Sequence, residues 1–369
     1  MDKHLTDWDR MFADSVQKYG GYFNAHTHLD RANTVEKQYL EHVSINPIEA
    51  SSYPLSVKQH MTGDLHRGIA YQLDDLERRM RNQLEIMHQL GTARVASFID
   101  TTADNVKLSA LDVALKLKEE FREKLVFEVA AYPIFGFKEN RPERWEIFLE
   151  AVKKADFIGS LPERDDRSTH IGYDEHLKKL LKVAQEYNKP IHVHVDQGND
   201  PRENGTETLI DSVRFLMDKK YFSAEEPFVW AVHAISPSSY GDERFNKMVD
   251  GLLKYNIGVI CCPAAAISMR QLRPLKTPTH NSIARVLEMI EAGVKVRVGT
   301  DNIADVFIPS GTPDMKMEML LLSHATRFYQ PDILAKIAAG AKLTAMDREI
   351  VHRTLEQDRD VFSSIKNQE

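Results

Sequence analysis

Two histidines spaced two residues apart, His26 and His28, lie in an apolar segment near the start of the sequence. A β-strand sends residues i and i+2 to the same face, so this segment predicts that both imidazoles point the same way. Two imidazoles on one face, close to the end of a strand, form half of a metal site. The same spacing also arises by chance in packed or solvated strands. Residues elsewhere in the chain must therefore distinguish a metal site from a chance pair.

Three further residues of metal-ligand type end short apolar segments far downstream, namely His194, His233 and Asp301. Together with the first pair they offer imidazoles and a carboxylate with room for a water molecule. This donor set suits one divalent metal ion, Zn²⁺ or Fe²⁺. Such an ion lowers the pKa of a water molecule from 15.7 to roughly 7, which predicts a metal-dependent hydrolase.

The same residues suggest a division of roles. A carboxylate opposite the water, such as Asp301, could take its proton, and His233 could orient the nucleophile or stabilise a developing anion. His192 is predicted to be a core histidine inside the fold, with direct metal ligation as the alternative. Four carboxylates on or beside strands are predicted to organise hydrogen bonds around the site: Asp30, Asp100, Glu128 and Asp196.

Alternating apolar segments and amphipathic helices must position these side chains. Eight near-continuously apolar segments predict buried parallel strands, at about 21–29, 93–100, 125–133, 157–161, 190–196, 228–235, 257–262 and 294–301. Helices are predicted between them and after them, at about 70–90, 105–122, 142–154, 173–187, 206–219, 241–255, 281–291, 316–328, 331–345 and 348–364. The predicted fold class is therefore α/β, a TIM (β/α)8 barrel. An open doubly wound sheet is the alternative, but no Gly-x-Gly-x-x-Gly follows a strand.

A closed barrel would bring the chemistry together, because functional residues lie at the carboxyl ends of its strands. Strands 1 and 8 are neighbours in such a barrel, which places Asp301 beside the histidine pair. His194 on strand 5 approaches from across the mouth.

One domain is predicted over residues 1–369, with two additions to the barrel. The segment at about 30–68 is too long for a simple strand–helix turn and is interpreted as a lid. Its His60 and His66 are expected to pack the lid or lie on the surface, with substrate contact as the alternative. The part at about 313–369 is predicted to be helical, and residues 1–20 form a polar leader with a possible short helix.

Composition excludes several classes of protein. The 369 residues are 42% hydrophobic and 28% charged with a net charge of −7, which argues against nucleic-acid binding. Cys261 and Cys262 are adjacent and predicted to be two packed thiols rather than a bridge. The absence of a signal-peptide pattern and of an apolar span predicts a cytoplasmic protein without membrane contact. A small-molecule substrate is expected, and a homo-oligomer is possible.

The order of His-x-His, His, His and Asp over eight strand–helix units resembles the amidohydrolase superfamily, and in particular its cytosine deaminase-like branch. The resemblance extends over five segments, which are 25–30, 159–162, 192–196, 233–236 and 301–302 followed by 309–312. It implies that His26, His28, His194 and Asp301 hold one metal ion and that His233 contacts the attacking water. No lysine lies in Phe157–Leu161, which agrees with a mononuclear site.

Three departures from that branch bear on the substrate. Gln197 stands where the branch has a glutamate that moves protons, and a neutral amide cannot accept and return a proton at neutral pH. Ile134 replaces an amide that reads the pyrimidine, which makes cytosine an unsuitable substrate. The small β-sandwich built from both termini is expected to be missing. Arg31 and Asn302 are further candidate substrate contacts, although a salt bridge from Arg31 to Asp30 or Asp100 is the plainer interpretation.

These observations predict hydrolysis of a C–N bond in a small nitrogenous compound, such as deamination of a heterocycle other than cytosine. A cyclic amide hydrolase is the first alternative, with Gln197 binding substrate. A metal-binding barrel that lost turnover is the second, because Gln197 replaces the proton-moving glutamate.

Overall fold

Eight parallel strands form one sheet whose spatial order is the order of the chain. The computed structural model describes residues 6–269 and 282–366, with side chains up to residue 361. The strands are β1 (Tyr22–Thr27), β2 (Thr92–Asp100), β3 (Val126–Tyr132), β4 (Phe157–Ser160), β5 (Ile191–Val195), β6 (Val229–His233), β7 (Ile257–Cys261) and β8 (Val296–Val298). This arrangement confirms the predicted TIM barrel and excludes the open doubly wound alternative.

The barrel closes between the end of β1 and the residues after β8. The main-chain N–H of Asp301 donates to the carbonyl of His26 at 2.9 Å, and the N–H of His28 donates to the carbonyl of Asp301 at 3.3 Å. Thr27 and Asp301 form a parallel bridge at this point. The closure therefore uses the residues expected to carry the chemistry, and β8 itself ends at Val298, earlier than predicted.

Gly299 allows this closure, and its replacement by Ala should destabilise the fold. A Cβ at this position would lie 2.6 Å from the main-chain N and O of His26, and main chain cannot give way as a flexible side chain can. The expected loss is about 3 kcal/mol of unfolding free energy, measured by urea denaturation. Gly241→Ala is the matched control, because nothing lies within 4 Å of a Cβ there. Equal stability of the two variants would contradict the close approach of β1 and β8.

Helices follow the strands around the barrel and cover its outside. They are α1 (Asp7–Lys18), α2 (Pro47–Ala50), α3 (Leu55–Arg67), α4 (Leu73–Gln89), α5 (Ser109–Phe121), α6 (Glu143–Lys154), α7 (Tyr173–Tyr187), α8 (Gly205–Leu216), α9 (Asp242–Lys254), α10 (Pro263–Ser268), α11 (Val286–Ala292), α12 (Met315–Thr326), α13 (Pro331–Ala339) and α14 (Ala345–Lys366). A large apolar cluster lies between the strands and these helices. A smaller one fills the barrel, including Phe98, Phe157 and Trp230.

Several predicted helix boundaries were wrong. The helix predicted over 331–345 ends at Ala339, because Gly340 takes a left-handed conformation (φ 64°) that stops it. The next helix then starts at Ala345 rather than at residue 348. The helix predicted over 281–291 begins at Val286, and residue 281 lies outside the described residues. The possible leader helix is present as α1.

The segment between β1 and α4 is helical rather than an open loop. It contains α2, α3 and several short 3₁₀ turns. Ser51–Leu55 and Lys58 from this segment line the cavity at the barrel mouth. The lid interpretation remains a prediction, and this placement is what supports it.

Both cysteines are buried and free, so the interpretation as packed thiols is confirmed. None of the helices in residues 6–269 and 282–366 combines the length and the apolar character needed to cross a bilayer.

Candidate metal centre

Five predicted site residues converge at the carboxyl ends of β1, β5, β6 and β8. The Nε2 atoms of His26 and His28 lie 3.4 and 3.3 Å from Oδ1 of Asp301. Ligand atoms of His26, His28 and His194 lie within 4.8 Å of one another, and the same holds for His26, His233 and Asp301. Residues distant along the chain thus form one cluster of metal-ligand chemistry.

The imidazoles of this cluster are buried and short of hydrogen-bond partners. His26, His28, His194 and His233 are at most 4% exposed. Nδ1 of His194 lies 3.0 Å from the carbonyl oxygen of Ser160, a contact that fixes the ring and leaves Nε2 available. Neither ring nitrogen of His26 or His233 makes a hydrogen bond with the described residues, although Nε2 of His26 lies 3.4 Å from Oδ1 of Asp301. Because unpaired buried nitrogens are costly, the cluster fits a further group such as a metal ion.

The protonation states also suit a cation. Burial lowers the pKa of His28 and His194 well below the ordinary value, and that of His233 to about 4. Burial acts to raise the pKa of Asp301, but the imidazoles of His26 and His28 beside it hold that pKa well below its ordinary value. His28, His194 and His233 are therefore neutral and Asp301 is ionised at neutral pH, as metal coordination requires.

Three residues at the same strand ends have a strained backbone. Asp196, His233 and Asp301 have φ of 55°, 77° and 58°, the left-handed region that residues with a side chain rarely adopt. Such conformations persist only where the surrounding structure enforces them. Here they turn the chain directly after β5, at the end of β6 and after β8, where side chains of the cluster enter the mouth.

A cavity of about 350 Å³ opens over the cluster, a volume suited to a small molecule. His28, His194, His233 and Asp301 form part of its wall. The remaining wall is mainly apolar or aromatic, and includes Tyr53, Tyr132, Ile134, Leu161, Ile235, Met269, Phe307 and Ile308.

The model of the amidohydrolase family matches residues 19–346 of the chain. The chain belongs to the amidohydrolase family. This makes it a hydrolase that acts on carbon–nitrogen bonds other than peptide bonds, and members of this family typically bind a divalent metal ion.

Two relatives match most of this amidohydrolase chain. An uncharacterized protein of Haemophilus influenzae is 29% identical over 293 residues, which cover 79% of this chain and 98% of the relative. The N-isopropylammelide isopropyl amidohydrolase of Pseudomonas sp. (strain ADP) is 22% identical over 305 residues, which cover 82% of this chain and 67% of the relative.

Solved structures agree with the amidohydrolase fold. The 5-methylcytosine deaminase from Klebsiella pneumoniae superposes with a TM-score of 0.72 at 22% identity, covering 86% of this chain and 73% of that one. The N-isopropylammelide isopropylaminohydrolase from Burkholderia multivorans has a TM-score of 0.63 at 19% identity, covering 86% and 71%. At these identities the comparisons show the fold alone.

Arg31 pairs differently from the predicted salt bridge. Its Nε lies 3.4 Å from Oδ2 of Asp305, and its Nε and Nη2 donate to Oδ1 of Asn302 at 3.2 and 3.1 Å. Its Nη1 is buried without a hydrogen-bond partner among the described residues. The predicted salt bridge to Asp30 or Asp100 is therefore wrong. The fold brings Asp305, which is distant in sequence, within 3.4 Å of the Arg31 guanidinium. Asn302 lines the cavity and also holds the guanidinium in place.

The lid histidines lie away from the cavity wall. His66 is fully buried, with Nδ1 2.7 Å from Asp104 and Nε2 3.1 Å from Asp100. Tyr71 donates to both Asp30 and Asp100 at 3.1 and 3.0 Å, so these carboxylates organise hydrogen bonds as predicted. His60 is exposed and contacts Ser56.

The predictions for His192, Glu128 and Asp196 differ in outcome. His192 lies in the barrel interior with its ring 4.4 Å from that of Phe157, as expected of a core histidine. Glu128 was wrongly placed beside the site, because it lies near the start of β3 and pairs with Arg94 at 2.8 Å. Asp196 accepts from the main-chain N–H groups of Gly205 and Thr206 and so caps α8.

Sequence reasoning missed Glu163, which contacts Gln197. Gln197 is 9% exposed and lines the cavity, and its Nε2 donates to Oε2 of Glu163 at 2.9 Å. Glu163 is the first carboxylate after β4. Its position just after the end of β4, where functional residues of a barrel lie, was the available signal.

Proposed function

We propose that this chain uses one divalent ion, Zn²⁺ or Fe²⁺, to hydrolyse a C–N bond of a small nitrogenous heterocycle other than cytosine. The observation that carries the proposal is the convergence of buried, unpartnered imidazoles and the Asp301 carboxylate below a cavity of about 350 Å³. His26, His28, His194 and Asp301 would hold the ion. When bound, the ion would make water nucleophilic at neutral pH and polarise the bond under attack.

The chain's own residues support the remaining steps. Asp301, whose pKa is held low by the imidazoles of His26 and His28 against the effect of burial, can accept a proton from water. His233 is neutral, lines the cavity and has both ring nitrogens free of described partners, so it can donate a hydrogen bond to a developing oxyanion. The apolar wall excludes water and strengthens both interactions.

The cavity wall favours a flat, partly apolar substrate with a hydrogen-bond acceptor. Ile134 is 2% exposed and brings only hydrocarbon to the position where an amide would read a pyrimidine. Nη1 of Arg31 offers an unpaired donor for a carbonyl, carboxylate or oxyanion. The names of similar proteins point the same way, since they refer to 5-methylcytosine and to N-isopropylammelide.

Gln197 favours a second candidate, the opening of a cyclic amide. An amide can bind a substrate N–H or carbonyl but cannot carry a proton to a leaving amine as a carboxylic acid can. A barrel that binds metal without turnover is the remaining candidate, because Gln197 cannot carry a proton to a leaving amine.

Ammonia release from a panel of aminoheterocycles and lactams distinguishes these candidates. The protein is loaded with Zn²⁺ or Fe²⁺, its metal content is measured, and products are identified by mass spectrometry. Deamination is expected to release ammonia or an amine from an aminoheterocycle. Ring opening without ammonia would favour the cyclic amide candidate. Bound metal with no turnover of any compound would contradict the proposed hydrolysis.

A further inference from the structure

The carboxyl group of Glu163 contacts the side chain of Gln197 and is not among the residues that line the cavity of the metal centre. Gln197 lines the cavity of the metal centre. Glu163 lines a separate surface cleft, together with Tyr173 and Glu203. Nε2 of Gln197 donates to Oε2 of Glu163 at 2.9 Å. The NH₂ group of the Gln197 amide is therefore bound by Glu163.

Two neighbouring carboxylates are already engaged elsewhere. Asp196 accepts from the N–H groups of Gly205 and Thr206 at 2.6 and 2.9 Å. Glu203 accepts from the N–H of Gly198 at 3.0 and 3.2 Å and from the hydroxyl of Ser236. In the described part of the chain, Glu163 is the carboxylate that meets the side chain of Gln197.

This contact decides which amide atom faces the substrate. An ionised carboxylate only accepts hydrogen bonds, so when Glu163 is ionised the amide turns its NH₂ group toward Glu163 and its carbonyl oxygen away. Gln197 borders the cavity beside His194 and His233. Within residues 6–269 and 282–361, Oε1 of Gln197 accepts no hydrogen bond. The cavity thus gains an acceptor at the position where related enzymes carry an acidic group.

We propose that Glu163 is a positioning residue that, when ionised, holds the carbonyl oxygen of Gln197 toward the cavity and so selects substrates with an N–H group at that point. The proposal rests on the proposed function, because it names the substrate feature read at the same site. It specifies a ring N–H, as in a lactam-type tautomer, beside the carbon under attack.

The surroundings of Glu163 give the contact a pH dependence. Burial, together with the carboxylates of Glu203 and Asp196 on the segment after β5, raises the pKa of Glu163 to about 8, while Gln197 opposes this. Tyr173 of α7 also faces it. Above this pKa the carboxylate accepts from Nε2. Below it, the protonated carboxyl can donate to Oε1 and the amide can turn, so the acceptor is lost as the pH falls.

The test follows the side-chain amide of Gln197 by nitrogen-15 NMR, with Gln197→Met assigning the signal. In the wild type, the amide resonances should shift between about pH 6 and about pH 9 as Glu163 titrates. In Glu163→Gln the shift should disappear. Asp166→Asn is the matched control, because Asp166 is an exposed acid in the same turn, and it should keep the shift. Glu163→Asp serves if Glu163→Gln does not fold, and it should weaken the shift.

A substrate measurement adds a second readout. For any substrate found in the panel, Glu163→Gln should raise KM about tenfold and change kcat less than about threefold, whereas Asp166→Asn should leave both unchanged. An amide signal that does not titrate in the wild type, or that titrates equally in Glu163→Gln, would overturn the proposal. Absence of turnover with a normal amide titration would instead count against the proposed function alone.

Discussion

Replacing Asp301 by Ala is expected to remove bound metal and turnover together. Its Oδ1 lies 3.4 and 3.3 Å from the Nε2 atoms of His26 and His28, so it supplies the negative charge of the cluster. Without it, neutral imidazoles alone would have to bind a divalent ion. The rate constant kcat should fall at least about 10³-fold, with metal content measured by plasma mass spectrometry.

Asp305→Asn is the control for this variant. Asp305 is a fully buried carboxylate on the same segment, but its Oδ2 lies 3.4 Å from Nε of Arg31 rather than among the imidazoles. It should keep the metal and raise KM, because the guanidinium loses a partner. Full metal content and normal turnover in Asp301→Ala would defeat the assignment of Asp301 as a ligand.

Gln197→Glu should create or increase deaminase activity. The change places a carboxyl group on the cavity wall, three residues after His194, and a general acid–base group contributes about 10²- to 10⁴-fold. Ammonia release from the panel measures the effect. No change in activity with any substrate would mean that residue 197 does not reach the reacting atoms.

The structure adds a condition to this result. The new carboxyl group would lie against Glu163, which accepts from Nε2 of the native glutamine at 2.9 Å. Two acids at this distance share a proton, which raises the apparent pKa of one of them. The double variant Glu163→Gln with Gln197→Glu exchanges the two side chains and should keep the hydrogen bond between them. Its pH optimum for ammonia release should lie below that of the single variant Gln197→Glu. An unchanged optimum would show that the two groups are not coupled.

Local patterns in the sequence determined the fold class and the composition of the candidate site. Near-continuous apolar segments predicted all eight strands, because buried parallel strands need apolar residues on both faces. His26, His28, His194, His233 and Asp301 were predicted from residue type and from position at strand ends. The order of strands in a closed barrel then placed them together, as the structure has them.

Only the tertiary structure decided the contacts between residues that are distant in sequence. Arg31 meets Asn302 and Asp305, and Gln197 meets Glu163, between loops that follow neighbouring strands of the barrel. No local pattern encodes such pairs, since they depend on how loops from different strands pack. The left-handed turn at Asp301 likewise depends on the hydrogen bonds that close the barrel onto β1. Periodicity therefore determines which residues reach the mouth, while packing determines which atoms they present to a substrate.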